Sequence, residues 1–190
     1  MRSQFNDTNG NPVDIAIGGT TVTGLSTGTA EEKSLSWWYT DTNKPGPVLT
    51  RAVDLLKSQI ATLSKAGPVN LDIIWGQGEE AAQEIARAAD KTAAEALYKA
   101  STLKVFDYLH EKLGDFTVYL METGHYAQDG ARYRGYSESK IASIVDGTVH
   151  VRHAQEALAA ERADVQLAVD YTDLPLRQDC LLYTSPSPRD

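Results

Sequence analysis

The chain has 190 residues, a formal net charge of −8 and a hydrophobic content of 42%, which fits a single globular domain. An acidic chain without a basic stripe argues against nucleic acid or an anionic membrane as partners. No apolar run is long enough to predict a membrane span, and no signal peptide is visible. The composition is compatible with a soluble cytoplasmic protein, or with a secreted one if a signal peptide has been lost upstream.

The first part of the chain predicts one strand, one loop and one helix. Residues 13–17 are apolar except for Asp14, and Gly18-Gly19-Thr20 follows them. Residues 23–45, rich in Gly, Ser and Thr, predict a loop, whose aromatic run Trp37-Trp38-Tyr39 either covers the core or stacks on a sugar ring. Gly46-Pro47 opens a helix with apolar residues at helical spacing, and Gly67-Pro68 ends it.

The middle part alternates strands and helices. An apolar strand is predicted at residues 70–75, helices at 79–89 and 93–113 with Gly114 as the cap, and a strand at 116–121. A polar loop at 122–135 carries His125 and Tyr126, and a helix at 137–162 contains Gly147, which favours a break. A last strand is predicted at 165–169. This alternation predicts an α/β fold, with a parallel sheet covered by helices on both faces.

The loop Gly76-Gln77-Gly78-Glu79 is the most informative segment, because ligands bind at the carboxyl ends of strands in open α/β sheets. Its glycines permit a close approach of the backbone and a positive φ. The Gln77 amide can donate to an oxygen that gains negative charge during a reaction. The alternative is an ordinary strand-to-helix turn, with Glu79 favourable at the helix N-terminus.

The last eleven residues, 180–190, follow no helical or strand period and hold the chain's one cysteine, Cys180. They match a translated transposon-type sequencing adapter, which predicts a non-native tail. If so, residues 1–179 contain no cysteine, and disulfides, thiol catalysis and thiolate metal sites are excluded from them.

Three segments together resemble the SGNH hydrolases, and most closely the sialate O-acetylesterase and acetylxylan esterase branch of the carbohydrate esterases. They are Gly18-Gly19-Thr20, Gln77-Gly78-Glu79 and the Arg-x-Ala-Gln pattern that ends at Gln155. The resemblance covers residues 12–179. It implies a three-layer α/β/α sandwich with a mostly parallel, flavodoxin-like sheet, present here in incomplete form.

The same resemblance implies a Ser-His-Asp site of which this chain holds only part. Gly19 or Gly18 and Gln77 would hold the oxyanion, and Glu79 would fix the Gln77 loop by accepting a hydrogen bond. Asp179 would be the acid, with Asp173 as a rival. No Gly-Gln-Ser-Asn-like motif is present, since residues 3–6 lie too close to the Gly-Gly-Thr strand, so the serine is expected upstream. The histidine is expected at position 182, where Leu182 stands.

The predicted function is therefore a carbohydrate O-acetylesterase in the intact protein, acting on acetylated carbohydrate without a cofactor, while this chain is inactive. The alternatives are a non-catalytic carbohydrate-binding or surface domain with a hydrolase-like fold, a glycosidase that pairs Glu79 with Glu122, and a nucleotide-binding protein. Three histidines lie on predicted helices and are expected to face solvent: His110, His150 and His153. No set of residues has convincing metal-ligand spacing.

Overall fold

The computed structural model of the chain describes residues 19–24 and 33–169, and the backbone of two short strands before them. These strands, β1 (Phe5–Asn6) and β2 (Pro12–Val13), pair in antiparallel fashion. Only the first residue of the strand predicted at 13–17 falls in this set. Three of the predicted site residues lie outside the described residues. They are Gly18, the predicted acid Asp179 and its rival Asp173.

A small mixed sheet replaces much of the loop predicted at residues 23–45. Strand β3 (Thr21–Gly24) is parallel to β4 (Ser36–Tyr39), which is antiparallel to β5 (Lys44–Pro45). The loop prediction was wrong for the aromatic run, which forms β4. Trp37 and Trp38 are each only 7% exposed and form part of the core, in agreement with the first of the two predicted alternatives. Aromatic side chains suit a pleated, buried surface, and this preference outweighs the Gly, Ser and Thr content around them.

The second sheet is entirely parallel and confirms the predicted α/β class. It consists of β6 (Asp72–Trp75), β7 (Thr117–Met121) and β8 (Val165–Val169), in the order β6-β7-β8. Each parallel connection passes through helices, as parallel pairing requires. The described strands after β2 thus form two three-stranded sheets rather than one continuous sheet.

The helices lie close to their predicted positions, and one more is present. They are α1 (Pro47–Leu63), α2 (Glu79–Arg87), α3 (Lys91–Leu113), α4 (Gln128–Tyr133) and α5 (Glu138–Glu161). Gly114 ends α3 with a φ of 88°, as a glycine cap does. The short helix α4 lies inside the region predicted as a polar loop. Within the part of the chain that the structure describes, no helix combines the length and apolarity needed to cross a membrane.

Gly147 does not break α5, contrary to the prediction, because it has a packing role. A Cβ at this position would lie 2.2 Å from the carbonyl oxygen of Ala82 in α2. The absence of a side chain lets α5 and α2 approach closely, and this pair makes the most extensive helix contact of the described fold. The approach fixes α5 against the loop that precedes α2.

Aromatic rings fill the core next to that loop. Trp75, at the end of β6, contacts Trp37 edge to face at 4.9 Å and Phe106 of α3 at 5.3 Å between ring centroids. The buried face of α3 includes Tyr98, whereas Ala96 and Ala100 are exposed. This orientation brings the Tyr98 hydroxyl to the loop that follows β6.

Candidate functional site

The Gln77 loop and the Gly-Gly-Thr segment meet in space, although 57 residues separate them. Gln77 follows β6, is 9% exposed, and donates a hydrogen bond from its side-chain Nε2 to the backbone carbonyl of Thr20 at 3.1 Å. Gly19, next to Thr20, has the left-handed φ of 72° that favours glycine. Two of the predicted site residues, Gly19 and Gln77, are thus brought to the same place.

A buried glutamine of α5 supports this loop from below. Gln155 is fully buried and accepts a hydrogen bond from the backbone N–H of Thr123 at 2.9 Å. Its Nε2 lies 2.9 Å from the Gln77 carbonyl oxygen and 3.1 Å from Thr123 Oγ1. Gln155 therefore ties the loop after β6 to the loop after β7 at the carboxyl end of the parallel sheet.

Tyr98 of α3 completes the support for the Gln77 backbone. Its hydroxyl donates to the Gln77 carbonyl at 3.0 Å and lies 3.3 Å from Gln155 Nε2. Burial raises the pKa of this phenol well above its usual range. The group therefore stays protonated at any physiological pH and remains a hydrogen-bond donor.

Arg152 brings a positive charge to the same buried network. The residue is 9% exposed, and its Nε donates to the Thr123 carbonyl at 2.7 Å. Its Nη2 is buried and has no hydrogen-bond partner among the residues the structure describes. Because Arg152 and Gln155 lie one turn apart on α5, they hold Thr123 from the same side, through its carbonyl and its N–H.

Gly78 is required by packing, not by a left-handed backbone. Its φ of 166° is extended. Neither Gly76 nor Gly78 adopts the left-handed backbone that a glycine in this loop was expected to permit. A Cβ at Gly78 would lie 1.8 Å from Thr123 Oγ1. The predicted close approach of the backbone does occur, but toward the Thr123 loop.

The other predicted loop residues lie at the edge of this arrangement. Glu79 is the exposed first residue of α2 and makes no side-chain hydrogen bond to another described residue, so the expected bond to the Gln77 loop is not formed. Its position at a helix N-terminus is electrostatically favourable. Glu122 is 2% exposed at the end of β7, and His125 is exposed.

A cavity of about 450 Å³ adjoins the site between β3 and α2. Gly19 and Tyr98 belong to its lining, whereas Gln77 does not. Glu84 also lines it, and accepts hydrogen bonds from Thr21 Oγ1 at 2.7 Å and Thr23 Oγ1 at 2.6 Å. Desolvation raises the pKa of this carboxyl, although both hydroxyl groups stabilise its ionised form.

Two of the three helical histidines do not face solvent as expected. His110 stacks on Phe116 at 3.9 Å between ring centroids and bonds to Asp164 at 2.7 Å. His150 is half-buried and bonds to Glu95, whereas His153 is exposed. The structure brings Glu95, His150 and His153 into one group, with a ligand atom of each within 4.8 Å of the others.

No protein-family model matches the chain, and no solved structure matches it.

Proposed function

We propose that the intact protein is a carbohydrate O-acetylesterase of the SGNH type, built on a three-layer α/β/α sandwich. One observation carries the proposal. The segments that share the family resemblance are 57 to 78 residues apart in the chain, yet hydrogen bonds join them: Gln77 to Thr20, and Gln155 to Gln77. The buried side chains of Arg152 and Gln155, which hold the loops after β6 and β7, support this interpretation over an ordinary strand-to-helix turn.

In the proposed reaction, a serine of the intact protein attacks the carbonyl carbon of an acetyl ester while a histidine takes the serine proton. Asp179 is proposed to orient that histidine. The carbonyl oxygen becomes an oxyanion, which needs donors already in position. When the intermediate collapses, the C–O bond to the sugar breaks and the histidine returns the proton to the leaving alcohol.

Gln77 is suited to the oxyanion role by its hydrogen-bond inventory. Its amide nitrogen carries two hydrogens, and one of them is used on the Thr20 carbonyl. The second N–H, together with the backbone N–H of Gly19 or Gly18, forms the proposed oxyanion hole. Because Gln155 and Tyr98 fix the Gln77 backbone, the donor is held in place before the reaction, which is what such a site needs.

We expect the 190-residue chain itself to be inactive. It has no serine in the expected motif, and Leu182 stands where the base is expected. Purified protein should therefore hydrolyse p-nitrophenyl acetate no faster than buffer. Appreciable hydrolysis that disappears in a Gln77→Ala variant would overturn this expectation.

Substrate binding by the chain can be followed without turnover. Acetylated xylo-oligosaccharide, titrated into ¹⁵N-labelled protein, is expected to shift the Gly19 amide and the Gln77 side-chain NH₂ signals. A Gln83→Ala variant is the matched control, because Gln83 is an amide on α2 outside the network. Shifts confined to other surfaces would contradict the substrate assignment. Binding without hydrolysis in the intact protein would favour the non-catalytic carbohydrate-binding alternative.

A further inference from the structure

A second polar cluster lies between α3 and α5, on helices that also support the Gln77 loop. Lys91, Glu95 and Lys99 are one turn apart on α3. Each pairs with a residue of α5: Lys91 with Asp146 at 2.6 Å, Glu95 with His150, and Lys99 with Glu161. The middle pair reverses the order of the others, since there the carboxylate comes from α3.

This reversal leaves a carboxylate and two imidazoles together. The lysines one turn before and after Glu95 pair with carboxylates of α5. Glu95 therefore pairs with the imidazole of His150 and not with a lysine. His153 follows His150 at a spacing of three, which puts the two on neighbouring positions of one helix face. Their ring centroids are 6.4 Å apart and the planes are inclined by 75°, so the rings are not stacked on each other.

We propose that Glu95, His150 and His153 form a binding site for one Zn²⁺ ion. Imidazole nitrogen and carboxylate oxygen are ligands that zinc prefers, and three protein ligands with one water complete a tetrahedral site. Ligand atoms at zinc bond lengths lie about 3.3 Å apart, whereas the three atoms here lie within 4.8 Å of one another. On binding, the ion would replace the hydrogen bond between Glu95 and His150, and the side chains would have to bring their ligand atoms closer together.

The burial of the three residues suits metal entry and retention. The side chains of Glu95 and His150 are 26% and 22% exposed, while His153 is exposed. The ion can thus enter from the His153 side and meet two partly desolvated ligands. When bound, it would link α3 to α5, the helix that carries Arg152 and Gln155.

Zinc binding to untagged protein, measured by isothermal titration calorimetry, tests the site. A Cys180→Ser background keeps the chain's one thiol from contributing. We expect one Zn²⁺ per chain, an increase in Tm on binding, and a four-coordinate absorption spectrum when Co²⁺ replaces zinc. We expect His153→Ala or Glu95→Gln, each of which removes a ligand, to raise Kd at least about 10-fold. Loss of a residue that only hydrogen-bonds to a metal ligand already has an effect of about this size.

The matched control is His110→Ala. His110 also bonds to a carboxylate, that of Asp164, but belongs to no cluster of three ligands among the described residues. Its loss should leave Kd unchanged. His153 is exposed, so its variant should keep the metal-free circular dichroism spectrum and Tm, which separates lost binding from lost folding. No zinc binding by the parent chain, or equal Kd for the parent and His153→Ala, would overturn the proposal.

Discussion

Replacing Gln155 by Leu removes the centre of the network beneath the Gln77 loop while keeping a side chain of similar size. The change leaves the backbone N–H of Thr123 without its acceptor at a buried position. An unsatisfied buried donor costs about 1–3 kcal/mol, and each lost hydrogen bond contributes about 0.5–1.5 kcal/mol. The Gln77 carbonyl keeps the Tyr98 hydroxyl as a donor, so it is not orphaned. We expect the free energy of unfolding to fall by about 2–4 kcal/mol.

Urea unfolding, followed by circular dichroism, measures this loss as a lower midpoint at constant m. Gln166→Leu, on an exposed position of β8, is the control and should change stability by less than about 0.5 kcal/mol. A double variant with Tyr98→Phe should cost more than the sum of its parts, because the Gln77 carbonyl then loses both donors. Stability within error of the parent chain, with unchanged exchange protection of the Thr123 amide, would refute this reasoning.

Three further predictions concern packing and pH. Gly78→Ala should destabilise the fold by about 1–3 kcal/mol, since its Cβ would lie 1.8 Å from Thr123 Oγ1, whereas Gly124→Ala meets nothing within 4 Å and should be nearly neutral in the same unfolding assay. Gly147→Ala should also destabilise the fold, because the new Cβ would lie 2.2 Å from a carbonyl oxygen of α2. Helix propensity alone would instead stabilise the variant by about 0.5–1 kcal/mol. A gain in stability on thermal unfolding would show that the two helices can separate at no cost. The raised pKa of Glu84 means that the folded state holds its proton to higher pH than the unfolded state, so stability should fall as pH rises from the ordinary carboxyl pKa through the raised one. This fall should be absent from unfolding curves of Glu84→Gln taken between about pH 4 and pH 7.

Local signals predicted most of the elements correctly. Gly46-Pro47 and Gly114 mark helix ends through their own backbone preferences, so the start of α1 and the end of α3 were predictable. The approach of Gln77 to the Gly-Gly-Thr segment was implied by the family resemblance and not by strand order, because Thr20 directly precedes β3, which belongs to the other sheet.

Features that depend on contacts between distant segments were not predictable. Trp37 and Trp38 were predicted to lie in a loop because the residues around them are rich in Gly, Ser and Thr. They instead belong to β4, which pairs with β3, and both are buried. The hydrogen bond from Tyr98 to the Gln77 carbonyl joins residues 21 positions apart, so no local pattern predicted it. Glu95 is 55 residues from His150, and only the spacing of the two histidines offered a signal for the metal cluster.

The oxyanion role of Gln77 is tested most directly by steady-state hydrolysis with the intact protein expressed from its complete gene. The substrates are p-nitrophenyl acetate and an acetylated xylo-oligosaccharide. We predict measurable turnover, a loss in kcat of about 100-fold to 1,000-fold in Gln77→Ala, and no loss in Gln83→Ala. Absence of hydrolysis, or full activity in Gln77→Ala, would contradict the esterase assignment.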